Sequence, residues 1–169
     1  MNNGLIPGMF DPPTLGHLDV ILRAAKICKK LFIGVAHNIR KRESAFSVEE
    51  RIGLLNVVLH KEKNIEIVPI DGLIVDFAKK HHIDFLVRGL RAFSDMEVEF
   101  QMALANKKIG GIETLFLMAD GKFAHISSSL IREIAACGHH LKDFVPEAIE
   151  KEISARLKVS GLVEPQLRR

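Results

Sequence analysis

The chain has 169 residues, of which 47% are hydrophobic, and a formal net charge of +3. This length predicts one domain over residues 1–169 with a substantial core, and the apolar runs are too short to cross a membrane. The small positive charge and the absence of Trp and Tyr argue against nucleic-acid binding, and the first residues lack a secretory signal, so we expect a cytoplasmic protein.

The first predicted element is a short strand, Gly4–Pro7, followed by a Gly/Pro turn and a helix over Leu15–Cys28. Thr14 is typical of a helix N-cap. N–H groups at a helix start are unpaired and carry partial positive charge, so this turn favours an anion, particularly phosphate. His17, one turn into the helix, would face that anion. The glycine spacing matches neither a dinucleotide fingerprint nor a P-loop, and a plain strand-to-helix connection also explains the turn by itself.

Apolar blocks alternate with helical segments along the next part of the chain. Further strands are predicted at Leu31–Ala36, Ile65–Val68, Phe85–Val87 and Leu115–Met118, with helices at Val48–Leu59 and Ile74–His81. This order predicts an α/β fold, a doubly wound, Rossmann-like parallel sheet of about five strands with helices on both faces. Ligands then belong at the carboxyl ends of the strands.

Two more helices are predicted near the end of the chain. The first covers Ser94–Ile109, with Ser94 and Asp95 as capping candidates. Within it Glu97 and Glu99 point in different directions, so one of them could face the cleft. A closing amphipathic helix follows at about residues 146–158, and a short tail ends the chain.

The cysteine and histidine patterns predict no metal site. Cys28 and Cys137 are far apart, so we expect two reduced, mostly packed thiols. The pairs His81-His82 and His139-His140 lack a carboxylate at i+3 or i+4, and adjacent helical residues face different ways. We therefore expect exposed residues at helix ends.

Three consecutive hydroxyl side chains, Ser127, Ser128 and Ser129, open another amphipathic helix. Ser127 alone would suffice as an N-cap, so three in succession exceed what a cap requires. Taken together, the Leu5–His17 stretch and this helix start resemble the Thr/His-x-Gly-His nucleotidyltransferase superfamily, whose second motif is a serine-rich helix start.

The chain also resembles one family within that superfamily, the phosphopantetheine adenylyltransferases. The Arg88-Gly89-Leu90-Arg91 segment carries this resemblance, with support in the same order from Phe10-Asp11-Pro12, Phe46–Arg51 and Glu97-Val98-Glu99. The resemblance runs from about Leu5 to the C-terminal helix.

The resemblance implies reversible transfer of the adenylyl group of ATP to 4′-phosphopantetheine, giving dephospho-coenzyme A and pyrophosphate. Such a transfer proceeds by in-line attack and needs positioned donors and cations rather than a protein nucleophile. The resemblance further implies a homohexamer and coenzyme A as a possible product-side inhibitor.

The expected ATP contacts follow partly from chemistry and partly from the resemblance. His17 is the candidate for stabilising the α-phosphate in the transition state, and Arg91, Ser128 and Ser129 for holding the β- and γ-phosphates. The resemblance extends the ATP contacts to the set Met9, Phe10, His17, Gly89, Leu90, Arg91, Glu99, Phe123, Ala124, His125, Ile126, Ser127, Ser128 and Ser129.

Lys41 and Arg88 are the best candidates for the phosphate of the acceptor, and Lys41 is counted with the catalytic residues. Arg40 or Arg42 could replace Lys41, because the loop is about one residue longer than the family pattern. The resemblance places Leu73 and Ile74 on the pantetheine arm, and core packing explains them equally well.

Met9 stands where the family pattern usually has threonine, which helps to hold the attacking phosphate. Methionine can offer only its backbone N–H and an apolar side chain, so rate and acceptor preference could differ.

Magnesium is expected as a companion of ATP, held by phosphate oxygens and water rather than by a carboxylate cage. Asp11 could lie in a second shell around that ion, although an Asx turn is the commoner role for Asp before Pro.

Three other functions remain open from the sequence. The fold and motifs would also suit a nicotinamide or nicotinate mononucleotide adenylyltransferase or a cytidylyltransferase. A nucleotide-sensing domain without turnover is the non-enzyme alternative, and Met9 is the feature that favours it.

Overall fold

The computed structural model describes residues 2–37 and 44–158. Its elements in chain order are β1 Asn3–Gly8, α1 Leu15–Ala25, β2 Lys30–Ala36, α2 Val48–Leu59, β3 Ile65–Ile70, α3 Ile74–Lys80, β4 Phe85–Leu90, α4 Phe93–Gly110, β5 Glu113–Met118, a 3₁₀ turn Gly121–Phe123, α5 Ser128–Ala136 and α6 Glu147–Leu157.

The five strands form one parallel sheet in the order β3-β2-β1-β4-β5. The predicted doubly wound, Rossmann-like α/β sheet is therefore confirmed. The strands β2 and β3 extend the sheet on one side of β1. The chain then returns to place β4 and β5 on the other side of β1. The carboxyl ends of β1 and β4 therefore flank the topological switch point, where open α/β sheets bind ligands.

Successive residues of a strand enter different cores on the two faces of the sheet. Leu31, Ile33 and Val35 of β2 pack in a core with residues of α1 and α2. Phe32, between them, packs with Val75 of α3 in a second core. This double burial explains why β2 is a continuous apolar run rather than an alternating one. A third core joins α5 and α6 to Phe46 and Leu54.

Helix starts confirm several sequence predictions. The Thr14 hydroxyl caps α1, and Ser127 caps α5 by accepting from the Leu130 N–H at 3.1 Å. Ser47 and Glu50 form a capping box at the start of α2. Each cap satisfies an N–H that a helix terminus would otherwise leave unpaired.

Several predicted boundaries are wrong by a few residues. The first helix ends at Ala25 rather than Cys28, and α4 begins at Phe93 with Ala92 at the cap position. Asp95 is therefore not the cap of this helix. Its carboxylate instead accepts hydrogen bonds from the Arg91 side chain. The strand β4 continues to Leu90, so of the Arg88–Arg91 segment only Arg91 follows the strand.

Other predictions have mixed outcomes. Cys28 is buried but Cys137 is exposed, so the expected packing is wrong for Cys137. Across residues 2–37 and 44–158, no helix could span a membrane and no three His, Cys, Asp or Glu side chains cluster as metal ligands. Lys41, with Arg40 and Arg42, lies outside the described residues, as does the tail from residue 159. The single domain over residues 1–169 therefore stays a prediction.

Candidate active site

A cavity of about 500 Å³ lies at the carboxyl ends of β1 and β4. Its wall is formed by the loop after β1, the start of α1, β4, the start of α4 and the start of α5. It brings together most of the predicted polar site residues: His17, Arg88, Arg91, Glu99, Ser127, Ser128 and Ser129. The sheet order causes this convergence, since β1 and β4 are neighbours in which Gly4 pairs with Phe85, far away in sequence.

The loop after β1 is tightly packed against its own aromatic side chain. A Cβ added at Gly8 would lie 2.8 Å from the Phe10 ring, so the close approach that requires this glycine is to Phe10. The Phe10 backbone has φ of +50°, in the left-handed region that non-glycine residues rarely adopt. The ring is buried and meets the His17 ring edge-on at 5.1 Å between centroids.

His17 is the third residue of α1 and completes a capping box with Thr14. The Thr14 hydroxyl accepts from the His17 N–H, and His17 Nδ1 accepts from the Thr14 N–H, both at 3.1 Å. Because Nδ1 accepts a hydrogen bond, the proton of the neutral ring sits on Nε2. Burial, with smaller effects of Arg91 and Arg88, lowers the pKa of His17 from 6.5 to about 4. At neutral pH His17 is therefore a neutral Nε2–H donor.

Both cavity arginines are held by carboxylates of α4. The Glu99 carboxylate accepts from Arg88 through both of its oxygens, with Nε to Oε2 at 2.6 Å, and Arg88 also donates to the Pro7 carbonyl. The Asp95 carboxylate likewise accepts from Arg91 through both oxygens, from Nε at 3.0 Å and from Nη2 at 3.1 Å. The helix α4 therefore fixes the orientation of both cations along the cavity wall.

The three serines at the start of α5 have separate intramolecular partners. Ser127 caps the helix, the Ser128 hydroxyl donates to the Pro12 carbonyl at 2.9 Å, and the Ser129 hydroxyl accepts from Arg132 at 3.2 Å. Among the described residues, the backbone N–H groups of Ser128 and Ser129 have no acceptor. Free N–H groups at a helix start suit an anion in the cavity.

Six of the predicted contact residues lie outside the wall formed by described residues: Leu73, Ile74, Leu90, Phe123, Ala124 and His125. Leu73 is 55% exposed before α3, and Ile74 packs against the second core. Leu90 is buried, and His125 meets the Phe144 ring edge-on. Met9, Phe10, Gly89 and Ile126 do line the cavity.

The Asp11 carboxylate joins two segments of the chain. It is 6% exposed, and its carboxylate accepts from the N–H groups of Ala45 at 3.0 Å and Phe46 at 2.9 Å. It therefore ties the loop after β1 to the segment before α2, and the Asx-turn interpretation is wrong. Asp95 and Glu99 are also engaged, by Arg91 and Arg88, and the described part of the cavity presents donors and cations that suit an anion.

The sequence did not predict the roles of two basic residues behind the loop after β1. Arg51 is 1% exposed and donates to the carbonyls of Met9, Ala36 and Ser47. Arg132 donates to the Asp11 carbonyl. An arginine among the apolar positions of α2 was the available signal for Arg51, because a buried guanidinium must be hydrogen-bonded.

Comparison with known proteins agrees with this geometry. A family model described as cytidylyltransferase-like matches residues 5–134. A phosphopantetheine adenylyltransferase of Finegoldia magna is 47% identical over 153 residues, which cover 90% of this chain and 94% of that protein. Another, from Caldanaerobacter subterraneus subsp. tengcongensis, is 44% identical over 95% of this chain and all of its own length.

The chain belongs to the phosphopantetheine adenylyltransferase family. A relative with the same name from Lachnoclostridium phytofermentans is 48% identical over 88% of this chain and 91% of its own length. The family inferred from the Arg88–Arg91 and Ser127–Ser129 segments is thus confirmed. The cytidylyltransferase-like family model, over residues 5–134, also covers every described residue that lines the cavity.

Proposed function

We propose that this chain transfers the adenylyl group of ATP to 4′-phosphopantetheine, giving dephospho-coenzyme A and pyrophosphate in coenzyme A synthesis. An oxygen of the acceptor phosphate attacks the α-phosphorus in line, and the bond from that phosphorus to the pyrophosphate oxygen breaks. The observation that carries the proposal is the cavity itself. It presents a neutral imidazole, two oriented guanidinium groups and free helix-start N–H groups to one space in a member of this family.

The triphosphate is assigned to the side of the cavity formed by α1 and α5. His17 Nε2–H stabilises the charge that grows on the α-phosphate oxygens, while Arg91 and the N–H groups of Ser128 and Ser129 hold the β- and γ-phosphates. Pre-oriented donors need little reorganisation when this charge develops, which lowers the barrier. Magnesium enters as part of the ATP substrate, coordinated by phosphate oxygens and water.

The acceptor phosphate is assigned to Arg88 and Lys41, with Met9 contributing its backbone. Arg88 is already oriented by Glu99, and the N–H groups of its planar guanidinium match the spacing of phosphate oxygens. Leu73 and Ile74 are assigned to the pantetheine arm. The remaining ATP contacts are assigned to Phe10, Gly89, Leu90, Glu99, Phe123, Ala124, His125, Ile126 and Ser127.

A homohexamer in the cytoplasm, with coenzyme A as a product-side inhibitor, completes the proposal. The described part of α4 supports self-association, because none of its residues is buried and many of its apolar side chains are exposed: Phe93, Met96, Val98, Phe100, Met102, Leu104 and Ile109. Monomeric proteins rarely leave so much apolar surface in contact with water.

One assay tests the proposed reaction. Pyrophosphate release is measured with MgATP and, in separate reactions, 4′-phosphopantetheine, nicotinamide mononucleotide or nicotinate mononucleotide, and with CTP in place of ATP. Release with ATP and 4′-phosphopantetheine alone supports the proposal. Release with a different pair assigns another transferase activity, and ATP binding without release from any pair would indicate a nucleotide sensor.

A further inference from the structure

Arg51 is a buried cation that holds three separate segments of the chain. Its Nη1 donates to the Met9 carbonyl at 2.6 Å and to the Ala36 carbonyl at 3.1 Å, while its Nε donates to the Ser47 carbonyl at 3.1 Å. These carbonyls belong to the loop after β1, the end of β2 and the cap of α2. Within residues 2–37 and 44–158 no carboxylate forms an ion pair with it. Carbonyl dipoles therefore compensate part of its buried charge, and the negative charges of Asp11 and Glu49 act on it from beyond ion-pair distance.

The contact with the Met9 carbonyl determines how the next N–H points. A trans peptide is planar, and its C=O and N–H point in opposite directions. Since the Met9 oxygen points at the buried Arg51, the Phe10 N–H points away from the interior. Met9 and Phe10 both line the cavity, and the Phe10 N–H has no acceptor among the described residues.

The loop would not hold this arrangement on its own. The Phe10 φ of +50° is unfavourable for a residue with a Cβ, so the surroundings must fix it. The next two carbonyls are also held from outside the loop, that of Asp11 by Arg132 and that of Pro12 by Ser128. Carbonyl oxygens repel an anion, so holding them by donors leaves the loop to present its N–H side.

We propose that Arg51 is a positioning residue that turns the Met9–Phe10 peptide so that the Phe10 N–H becomes a donor to phosphate in the cavity. Arg51 itself does not touch the phosphate. Without the Arg51 guanidinium, the Met9–Phe10 peptide can rotate and present the Met9 carbonyl oxygen to the phosphate. The attraction between the Phe10 N–H and the phosphate is then replaced by a repulsion between two oxygens. The inference rests on the proposed function only in taking a polyphosphate as the ligand.

The sequence allows this one peptide to be observed alone. The chain has five methionines and ten phenylalanines, and Met9-Phe10 is its only Met-Phe pair. Labelling Met with ¹³C at the carbonyl and Phe with ¹⁵N therefore leaves a single carbonyl-filtered amide signal. Addition of inorganic pyrophosphate to the wild-type protein is expected to shift this signal in a saturable way. A signal that stays in place while calorimetry shows pyrophosphate binding would overturn the inference.

Two variants then separate positioning from general stability. Arg51→Met removes all donors and should weaken pyrophosphate binding about 10- to 100-fold, the effect of losing one charge-assisted hydrogen bond. Arg51→Lys can restore one donor to the Met9 carbonyl and should recover part of the affinity. Leu59→Ala, a buried truncation at the last residue of the same helix, is the control that destabilises α2 without removing a hydrogen bond to the loop.

All affinities are measured by calorimetry well below each melting temperature. The inference is supported if pyrophosphate affinity falls in Arg51→Met and partly recovers in Arg51→Lys, while the affinity of Leu59→Ala stays within about twofold of the wild type. Folded Arg51 variants that bind pyrophosphate like the wild type overturn it. If Arg51→Met does not fold, the labelled wild-type peptide and Arg51→Lys still decide. Failure of 4′-phosphopantetheine to elicit turnover, with these binding results intact, would reject only the proposed function.

Discussion

His17 shows how a single side chain acquires its properties from its neighbours. The Thr14 N–H selects the tautomer, and burial beside Arg91 and Arg88 keeps the ring neutral by lowering its pKa to about 4. A neutral donor needs no proton exchange before it stabilises a phosphate oxygen. The assigned transition-state role therefore depends on this geometry rather than on titration near pH 7.

Replacing His17 by Ala should lower kcat by about 10²–10⁴ with a smaller change in the KM for ATP, because the interaction is made mainly in the transition state. Steady-state pyrophosphate release measures both constants. His60→Ala is the matched control, since His60 lies exposed at the end of α2. A kcat unchanged from the wild type would remove His17 from the mechanism.

The free energy of unfolding should depend on His17 below pH 6.5. The folded pKa is depressed, so the unfolded state binds a proton first, and stability that is complete above pH 6.5 is lost as pH falls to about 4. Denaturant titrations across this range should show a loss of about 1–3 kcal/mol in the wild type that His17→Gln does not share. His60→Gln is the matched control, because His60 lies exposed at the end of α2. Parallel curves for wild type and His17→Gln would contradict the buried, neutral state.

Met9→Thr should keep or raise the rate of pyrophosphate release, because it supplies a hydroxyl that can donate a hydrogen bond to the acceptor phosphate. The KM for 4′-phosphopantetheine is the informative quantity. The Met9 carbonyl contact with Arg51 belongs to the backbone and is retained in this variant. A large loss of activity would mean that the methionine side chain has a purpose of its own.

At the scale of elements, the loop after β1 is held by α2 and α5 rather than by its own turn. Asp11 anchors the segment before α2, while Ser128 and Arg132 anchor the loop to α5. The two helices lie far apart in sequence, and their contacts meet within the Met9–Pro12 part of the loop. The shape of the phosphate-facing backbone is therefore a property of the assembled fold.

Asp11→Asn should destabilise the protein by about 1–3 kcal/mol, since an amide group in place of the carboxylate leaves one of the two buried N–H groups without its acceptor. Thermal and denaturant unfolding measure the change. Asp120→Asn is the control, because Asp120 caps a short exposed turn through one N–H. An equal effect of the two substitutions would show that Asp11 is no more than a surface acceptor.

Patterns that depend on neighbours in sequence were predictable. The β2 run, the Thr14 and Ser127 caps and the order of strands and helices follow from local periodicity and capping chemistry. The extension of β4 through Arg88 was not predictable, because a strand containing arginine and glycine lacks the apolar signal. The partners of Arg51 and Asp11 come from other segments, so their roles in the site required the three-dimensional arrangement.

At the scale of the whole molecule, α4 is the least buried of the long elements. None of its residues is buried, yet it contacts α3, β4 and β5 and supplies Asp95 and Glu99 to the cavity. Its exposed apolar side chains are joined by Leu115 and Met118 of the edge strand β5. A second copy of the chain is the partner that we propose for this surface.

Leu104→Glu should reduce the mass of the assembly measured by light scattering, because a carboxylate would have to be buried in an apolar contact. Val57→Glu places the same charge on an exposed position of α2 and should leave the mass unchanged. Circular dichroism checks that both variants remain folded. A wild-type protein with the mass of one chain, or a Leu104→Glu variant with unchanged mass, would reject the proposed interface.

Under the proposed self-association, the double role of α4 links the concentration of the protein to its affinity for nucleotide. The helix that carries the outward apolar side chains also holds Arg88 and Arg91 through its carboxylates. Association that immobilises α4 would therefore also fix the two guanidinium groups in the orientation that binds phosphate. Because the coupling is reciprocal, a bound nucleotide would in turn strengthen the association between copies of the chain. Dilution should then weaken nucleotide binding, and saturating nucleotide should shift the dissociation midpoint to a lower protein concentration.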